Sequence, residues 1–207
     1  MVKVKIAVFV SGGGTNLQAL IDAQARGELP HGSIELVISS KEGAYALKRA
    51  EEHHIPAITI ARRAFKDQSD FEAEMCKALS SHKIDLIVLA GFMTILSESF
   101  VKQFPKRIIN VHPALIPSFS GKGFYGLKVH EAALQYGVKV TGATVHYVNE
   151  VPDGGEIIMQ KAVDVLPDDT PKTLQKRVME QAEWILLPRA VELVCKQLVE
   201  KQADAIN

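Results

Sequence analysis

Asn110, His112 and Asp153 supply an amide, an imidazole and a carboxylate, the side chains that acyl transfer to an amine calls for. An amine attacking a carbonyl carbon leaves a tetrahedral oxyanion, which the Asn110 amide and a protonated His112 would stabilise by hydrogen bonding. Asp153 would hold the imidazole charged and help take the proton from the amine, directly or through water. Each residue alone has a plainer reading. Asn110 and His112 read as an end-of-strand pair satisfied by backbone, and Asp153 as the turn former of an Asp-Gly-Gly sequence. Only the three together point to catalysis.

The elements around them decide whether they can meet. Residues 108–112, Ile-Ile-Asn-Val-His, predict a strand, on which positions two apart share a face. Pro113 and Pro117 follow and end it, which puts the pair at a strand's C-terminal end, where open α/β sheets hold ligands. Residues 142–148 alternate like a second strand, and residues 149–155 form a polar loop that carries Asp153. Further upstream, Ser11-Gly12-Gly13-Gly14-Thr15-Asn16 lies between a strand and a helix, where exposed backbone N–H groups and the helix N-terminus attract an anion such as phosphate. A tight turn with no ligand is the alternative. The dinucleotide fingerprint is excluded, because its third glycine would fall at Leu17. His146 with His112 and Asp153 could imitate a metal site, but two histidines four apart on a helix do not occur, so no metal is expected.

Residues 6–10 are an apolar run expected as a strand buried on both faces, with a helix from 17 to near Gly27. The same reading gives strands at 34–38, 56–60 and 86–90 and helices at 44–53, 71–82 and 97–104. Ser69 and Glu72 have capping-box spacing at the start of the third helix. Strands alternating with helices imply parallel pairing and right-handed crossovers, so the expected fold class is α/β with a doubly wound, mostly parallel sheet. Residues 139–148 and 156–165 are consecutive strands, an antiparallel extension. Thr170-Pro171 opens a long C-terminal helix that runs to about residue 200, with a kink or break at Pro188 and a frayed tail over 201–207.

With 207 residues, 47% of them hydrophobic, the chain reads as one domain over 1–207. Lys+Arg and Asp+Glu are both 24, so no phosphate-backbone attraction is expected, and the partner is a small molecule rather than nucleic acid. Cys76 and Cys195 are far apart and read as reduced, buried thiols. His31, His53, His54, His82 and His130 read as surface or helix-end histidines, and Lys48, Arg49, Glu51 and Glu52 as a solvated helix face. No run reaches the ~20 apolar residues of a membrane span, and the apolar run at the start is too short for a signal peptide. A soluble cytoplasmic protein is expected.

Four motifs in order, residues 11–17, 89–93, 109–117 and 142–146 running to Asp153-Gly154-Gly155, give a resemblance that covers nearly the whole chain. They resemble the phosphoribosylglycinamide formyltransferase family, folate-dependent enzymes with a Rossmann-like fold that formylate glycinamide ribonucleotide in purine synthesis. The resemblance implies Asn110, His112 and Asp153 as the catalytic trio. It implies that Gly13, Gly14, Thr15, Asn16 and Pro113 hold the phosphorylated substrate, and that Glu183 contacts the ribose hydroxyls, with Glu180 a second acidic candidate. The implied co-substrate is 10-formyltetrahydrofolate, in a pocket formed by Gln68, Met93, Thr94, Ile95, Leu96, Asn110, Asn149, Glu150, Val151 and Asp153. Thr94 and Gln68 stand where some members carry arginine, and Trp184 where histidine is frequent. The glycine-rich loop at 120–126 is longer than in some members and is expected as a mobile flap. Neither nucleic acid nor membrane is implied as a partner, and the protein is expected as a monomer or homodimer. The rivals are a 10-formyltetrahydrofolate hydrolase with the same trio, a formyltransferase acting on charged initiator tRNA, and a nucleotide-binding module that uses the glycine turn alone.

Overall fold

The computed structural model describes residues 3–204. Seven strands form one sheet: β1 (Val4–Val10), β2 (Gly32–Ser39), β3 (Ala57–Thr59), β4 (Leu86–Leu89), β5 (Ile108–His112), β6 (Val140–Tyr147) and β7 (Ile157–Asp164). Their order is β3-β2-β1-β4-β5-β6-β7. Pairing is parallel from β3 through β5 and antiparallel for β5–β6 and β6–β7, so the mostly parallel sheet and its antiparallel C-terminal extension are present as expected. The strand order reverses between β1 and β4, so the loops after these two strands diverge and leave a crevice between them. Ser11 and Gly91 begin those loops.

The helices are α1 (Thr15–Ala25), α2 (Tyr45–Glu52), α3 (Gln68–Ser81), α4 (Glu98–Val101), α5 (Leu127–Tyr136), α6 (Pro171–Val178) and α7 (Trp184–Asp204). Two cores sandwich the sheet. Leu17, Leu20, Val178 and Leu187 pack against Ile6, Val8, Ile109 and Val145 on one face. Phe71, Met75 and Phe100 pack against Phe9, Leu36, Leu89 and Ile108 on the other. Among the described residues no helix is long and apolar enough to cross a membrane.

The structure departs from the sequence reading at five points. Ser69 and Glu72 form no capping box; α3 is capped at Asp67 without a side-chain bond. Buried Glu72 instead accepts from the Ser97 N–H at 2.6 Å and the Ser97 hydroxyl, because it lies on the helix face that packs on the sheet. The C-terminal helix is interrupted not at Pro188 but at a π-turn over Met179–Glu183. Pro188 withholds its N–H from the carbonyl four residues back, that of Trp184, where the widened turn gives way to α7. Helix α5 has no counterpart in the sequence reading, since the glycine run before it reads as loop. The C-terminal helix continues to Asp204 and the rest of the expected frayed tail lies outside the described residues. Finally, Cys195 is buried as expected but Cys76 is only half-buried.

Candidate active site

Strand β5 presents Asn110 and His112 on one face, and the antiparallel register places His146 of β6 directly across from Asn110 and Thr144 across from His112. The loop between β6 and β7 folds back so that Asp153, in a left-handed conformation with φ 55°, reaches the same face. Asp153 Oδ2 lies 3.5 Å from His112 Nδ1, and its Oδ1 lies 3.4 Å from Asn110 Nδ2 and 3.6 Å from His146 Nε2. The trio expected from sequence is thus assembled by two segments distant along the chain, β5 and the loop after β6.

The flap closes the far side. His112 Nε2 is 2.8 Å from the Phe119 carbonyl oxygen, which can only accept, so Nε2 carries the proton. Gly121 N–H donates to Asp153 Oδ2 at 2.9 Å. Burial pushes the His112 imidazole below its ordinary value, outweighing the nearby Asp153 charge and the Phe119 carbonyl, while His146 adds to the lowering. That direction favours a neutral ring at rest, whereas the sequence reading expects an imidazolium. Burial works against the Asp153 carboxylate, but the His146 contact, the His112 ring and the Gly121 N–H together hold it below the usual carboxylate range. An anionic carboxylate beside the unprotonated Nδ1 of a neutral imidazole is a pair ready to receive a proton.

Two cavities meet at the trio. One, of about 130 Å³, is lined by Leu89, Phe92, Thr94, Ile95, Leu96, Asn110, His146, Val148, Asn149, Glu150, Val151, Pro152 and Asp153. A second, of about 580 Å³, runs as a trough past Met93, Asn110, His112, Pro113 and Asp153 beneath Lys122, Phe124 and Tyr125. The residues assigned to a folate pocket line these walls, with one exception. Gln68 lines neither; its amide donates to Glu72 and to the Ile95 carbonyl at 3.0 Å, so it props the rim from behind.

The glycine turn lies across the crevice. Gly14 caps α1 in a left-handed conformation, φ 70°, with no side-chain cap, and a Cβ there would lie 2.6 Å from that of Ala46. Ala46 N–H and the Arg49 guanidinium take the carbonyls of Gly12 and Gly13. Among the described residues no acceptor takes the N–H groups of Gly12, Gly13 or Gly14, so they stay open to an anion at the helix end. Asn16 and Glu183 are both buried, and Asn16 Nδ2 donates to Glu183 Oε2 at 2.6 Å, leaving Asn16 Oδ1 without a partner. Burial raises the Glu183 carboxyl above its ordinary value against the Asn16 hydrogen bond. Glu180 pairs instead with Lys176 at the surface. Thr15 lines a separate cavity of about 310 Å³ with Gln18, Arg49 and Trp184.

Three contributors were missed from sequence. His146 was weighed only as a metal ligand, because nothing in the residues fixes the register that sets it opposite Asn110. Arg49, read as part of a solvated face, bonds the Gly13 carbonyl and Gln18. Ser11 accepts from Met93 N–H at 2.9 Å and shares a hydrogen with Ser40, joining the turn to the cavity rim. His130, expected at the surface, is 1% exposed with both ring nitrogens unpartnered among the described residues, and burial, with a smaller contribution from the neighbouring His112, pushes it down to about 4.

The formyl transferase family matches residues 4–191. The chain is 39% identical to a phosphoribosylglycinamide formyltransferase of Haemophilus influenzae, over 91% of this chain and 85% of that protein. It is 42% identical to the human trifunctional purine biosynthetic protein adenosine-3 over 96% of this chain, but spans only 19% of that protein's length. Among solved structures, glycinamide ribonucleotide transformylase 1 from Symbiobacterium toebii superposes with TM-score 0.88 at 37% identity, covering 94% of this chain and 89% of that one. A formyltetrahydrofolate deformylase from Pseudomonas syringae also superposes, with TM-score 0.83, at 29% identity, covering 94% of this chain and 62% of that one. With that family's match running through the glycine turn, β5 and the Asp153 loop alike, the chain belongs to the formyl transferase family.

Proposed function

We propose that the chain transfers the formyl group of 10-formyltetrahydrofolate to the amine of glycinamide ribonucleotide, in purine biosynthesis, with residues 1–207 acting as one catalytic domain. The observation that carries this reading is the meeting of two unlike half-sites at one trio. An apolar slot between Phe92, Leu96, Val148 and Val151 suits a flat heterocycle, and the open N–H groups beside the Asn16–Glu183 pair suit a phosphorylated sugar. In the reaction the amine nitrogen bonds to the formyl carbon, the bond from that carbon to folate N10 breaks, and N10 gains a proton as the amine loses one. Asn110 and His112 hold the reacting atoms in place, and Asp153 with His112 Nδ1 receives the amine proton. The chain's own residues supply position and charge, and the folate supplies the carbon. We place the protein in the cytoplasm as a monomer or homodimer.

The Pseudomonas deformylase likeness favours a second reading, in which water accepts the formyl group. A hydrolase has no phosphate to hold and no use for the open turn. The test is loss of the folate formyl group, followed by absorbance, with and without glycinamide ribonucleotide. Turnover that requires the ribonucleotide supports the transferase; equal turnover without it makes the chain a hydrolase; none at all returns the glycine turn to a plain binding role.

A further inference from the structure

Residues 91–96 run from the end of β4 toward α4 as irregular chain, and Thr94, Ile95 and Leu96 among them line the small cavity. Among the described residues, no backbone group of this segment bonds to another backbone group. Side chains from elsewhere hold it instead. Ser11 Oγ accepts from the Met93 N–H, and the Gln68 amide donates to the Ile95 carbonyl. At the segment's end Glu72 accepts from both the N–H of Ser97, at 2.6 Å, and its hydroxyl. The held positions alternate, 93, 95 and 97, and the backbone N–H and C=O groups of Thr94 and Leu96 between them have no partner among the described residues. A wall with open peptide groups facing a cavity keeps its shape only if something outside it fixes the chain.

Glu72 is the common anchor. It is 5% exposed on α3, and its carboxylate also accepts from Gln68 Nε2 at 2.7 Å. Arg62 Nε donates to Gln68 Oε1 at 2.9 Å, which leaves the Gln68 NH2 group to face Glu72 and Ile95. Arg62 is itself fixed by the Phe65 carbonyl at 2.8 Å. A buried carboxylate stabilises a fold no better than a well-packed apolar side chain of its size, so what three converging donors add is a fixed geometry.

We propose that Glu72 is a positioning residue for folate: without touching the ligand, it holds residues 93–97 in their binding shape through Ser97 and Gln68 before folate arrives. This rests on the transferase reading for the identity of the ligand alone. Without the anchor the segment has to be ordered as the ligand binds, so affinity falls while the bound geometry, and with it kcat, is retained.

The test is a paired substitution. Glu72→Met keeps the length of the side chain and removes both acceptor oxygens, whereas Glu72→Gln keeps one. In Glu72→Met the Kd for tetrahydrofolate, read by calorimetry, and the KM for 10-formyltetrahydrofolate should both rise by ~10-fold, about what ordering one residue's backbone costs. Glu72→Gln should recover most of that loss. The kcat at saturating folate and the KM for the ribonucleotide should stay within about two-fold. Hydrogen exchange of the free variant should quicken over residues 93–97 but not in β1 or β4, and tetrahydrofolate should restore it. Unchanged folate affinity in Glu72→Met, a loss that Glu72→Gln does not recover, or exchange quickened throughout the sheet would each overturn the proposal. Should Glu72→Met fail to fold, Gln68→Ala takes its place, since it removes one of the two arms through which Glu72 acts; an unchanged tetrahydrofolate Kd there would overturn the proposal equally. If the unaltered protein binds tetrahydrofolate but shows no ribonucleotide-dependent transfer, the transferase reading falls and the ratio of affinities still decides the role of Glu72.

Discussion

Replacing His112 by alanine deletes the ring that stands between the flap carbonyl and Asp153, at a distance from the open glycine turn. Turnover should fall by ~10² to 10⁴-fold, the range for loss of a positioned acid–base group. Binding of the ribonucleotide, read by calorimetry, should stay within a few-fold; joint loss of both would mean that His112 is structural. His130 makes a different prediction. Its ordinary value of 6.5 falls to about 4 in the folded protein, so between those pH values the unfolded chain binds the extra proton and the folded one does not. Stability therefore drops as pH falls through that window, by roughly 3 kcal/mol in full. His130→Leu should flatten this acid limb, giving a melting temperature that changes less between pH 6.5 and 4.5 than that of the unaltered protein. At neutral pH it should be no less stable, since an unpartnered polar group has been removed from the interior.

Between β1 and α1 the chain must turn with its backbone against α2. Gly14→Ala would force a left-handed backbone on alanine and drive its Cβ to 2.6 Å from Ala46. The expected result is ~1–3 kcal/mol lost in urea unfolding from the strained conformation, together with a raised KM for the ribonucleotide and little change in that for folate. Much at this scale was legible in the residues. All seven strands, the parallel run and the antiparallel β6–β7 pair follow from apolar runs, alternation and the missing helix between residues 148 and 156, whereas the antiparallel β5–β6 pair does not, because α5 lies between those strands. What was not legible depends on tertiary choice. Glu72 has the spacing of a capping residue, yet Ser97, 25 positions away, takes its carboxylate. The π-turn at Met179–Glu183 has no residue signature of its own, although it precedes the helix that carries Pro188. For the candidate site, the trio could be named from residue types and strand ends, whereas His146 and Arg49 needed the register and the helix packing.

Across the whole molecule, β1 and β4 lie at the centre of the sheet with a core on each face, while the flap at 118–126 is held to the rest by few hydrogen bonds, among them those from His112 and to Asp153. Hydrogen exchange should follow this gradient: Ile6–Phe9 and Ile87–Leu89 amides should open only with global unfolding, and the flap amides far sooner. Equal protection in both would mean the flap is part of the cooperative core. The same gradient gives Ser11 its significance. Both ends of the crevice continue from central strands, Ser11 from β1 and Met93 from β4, and a 2.9 Å bond from Met93 N–H to Ser11 Oγ ties the two together. Two molecules that arrive separately would thereby be gauged from a single benchmark, the Ser11 hydroxyl that ties the two loops.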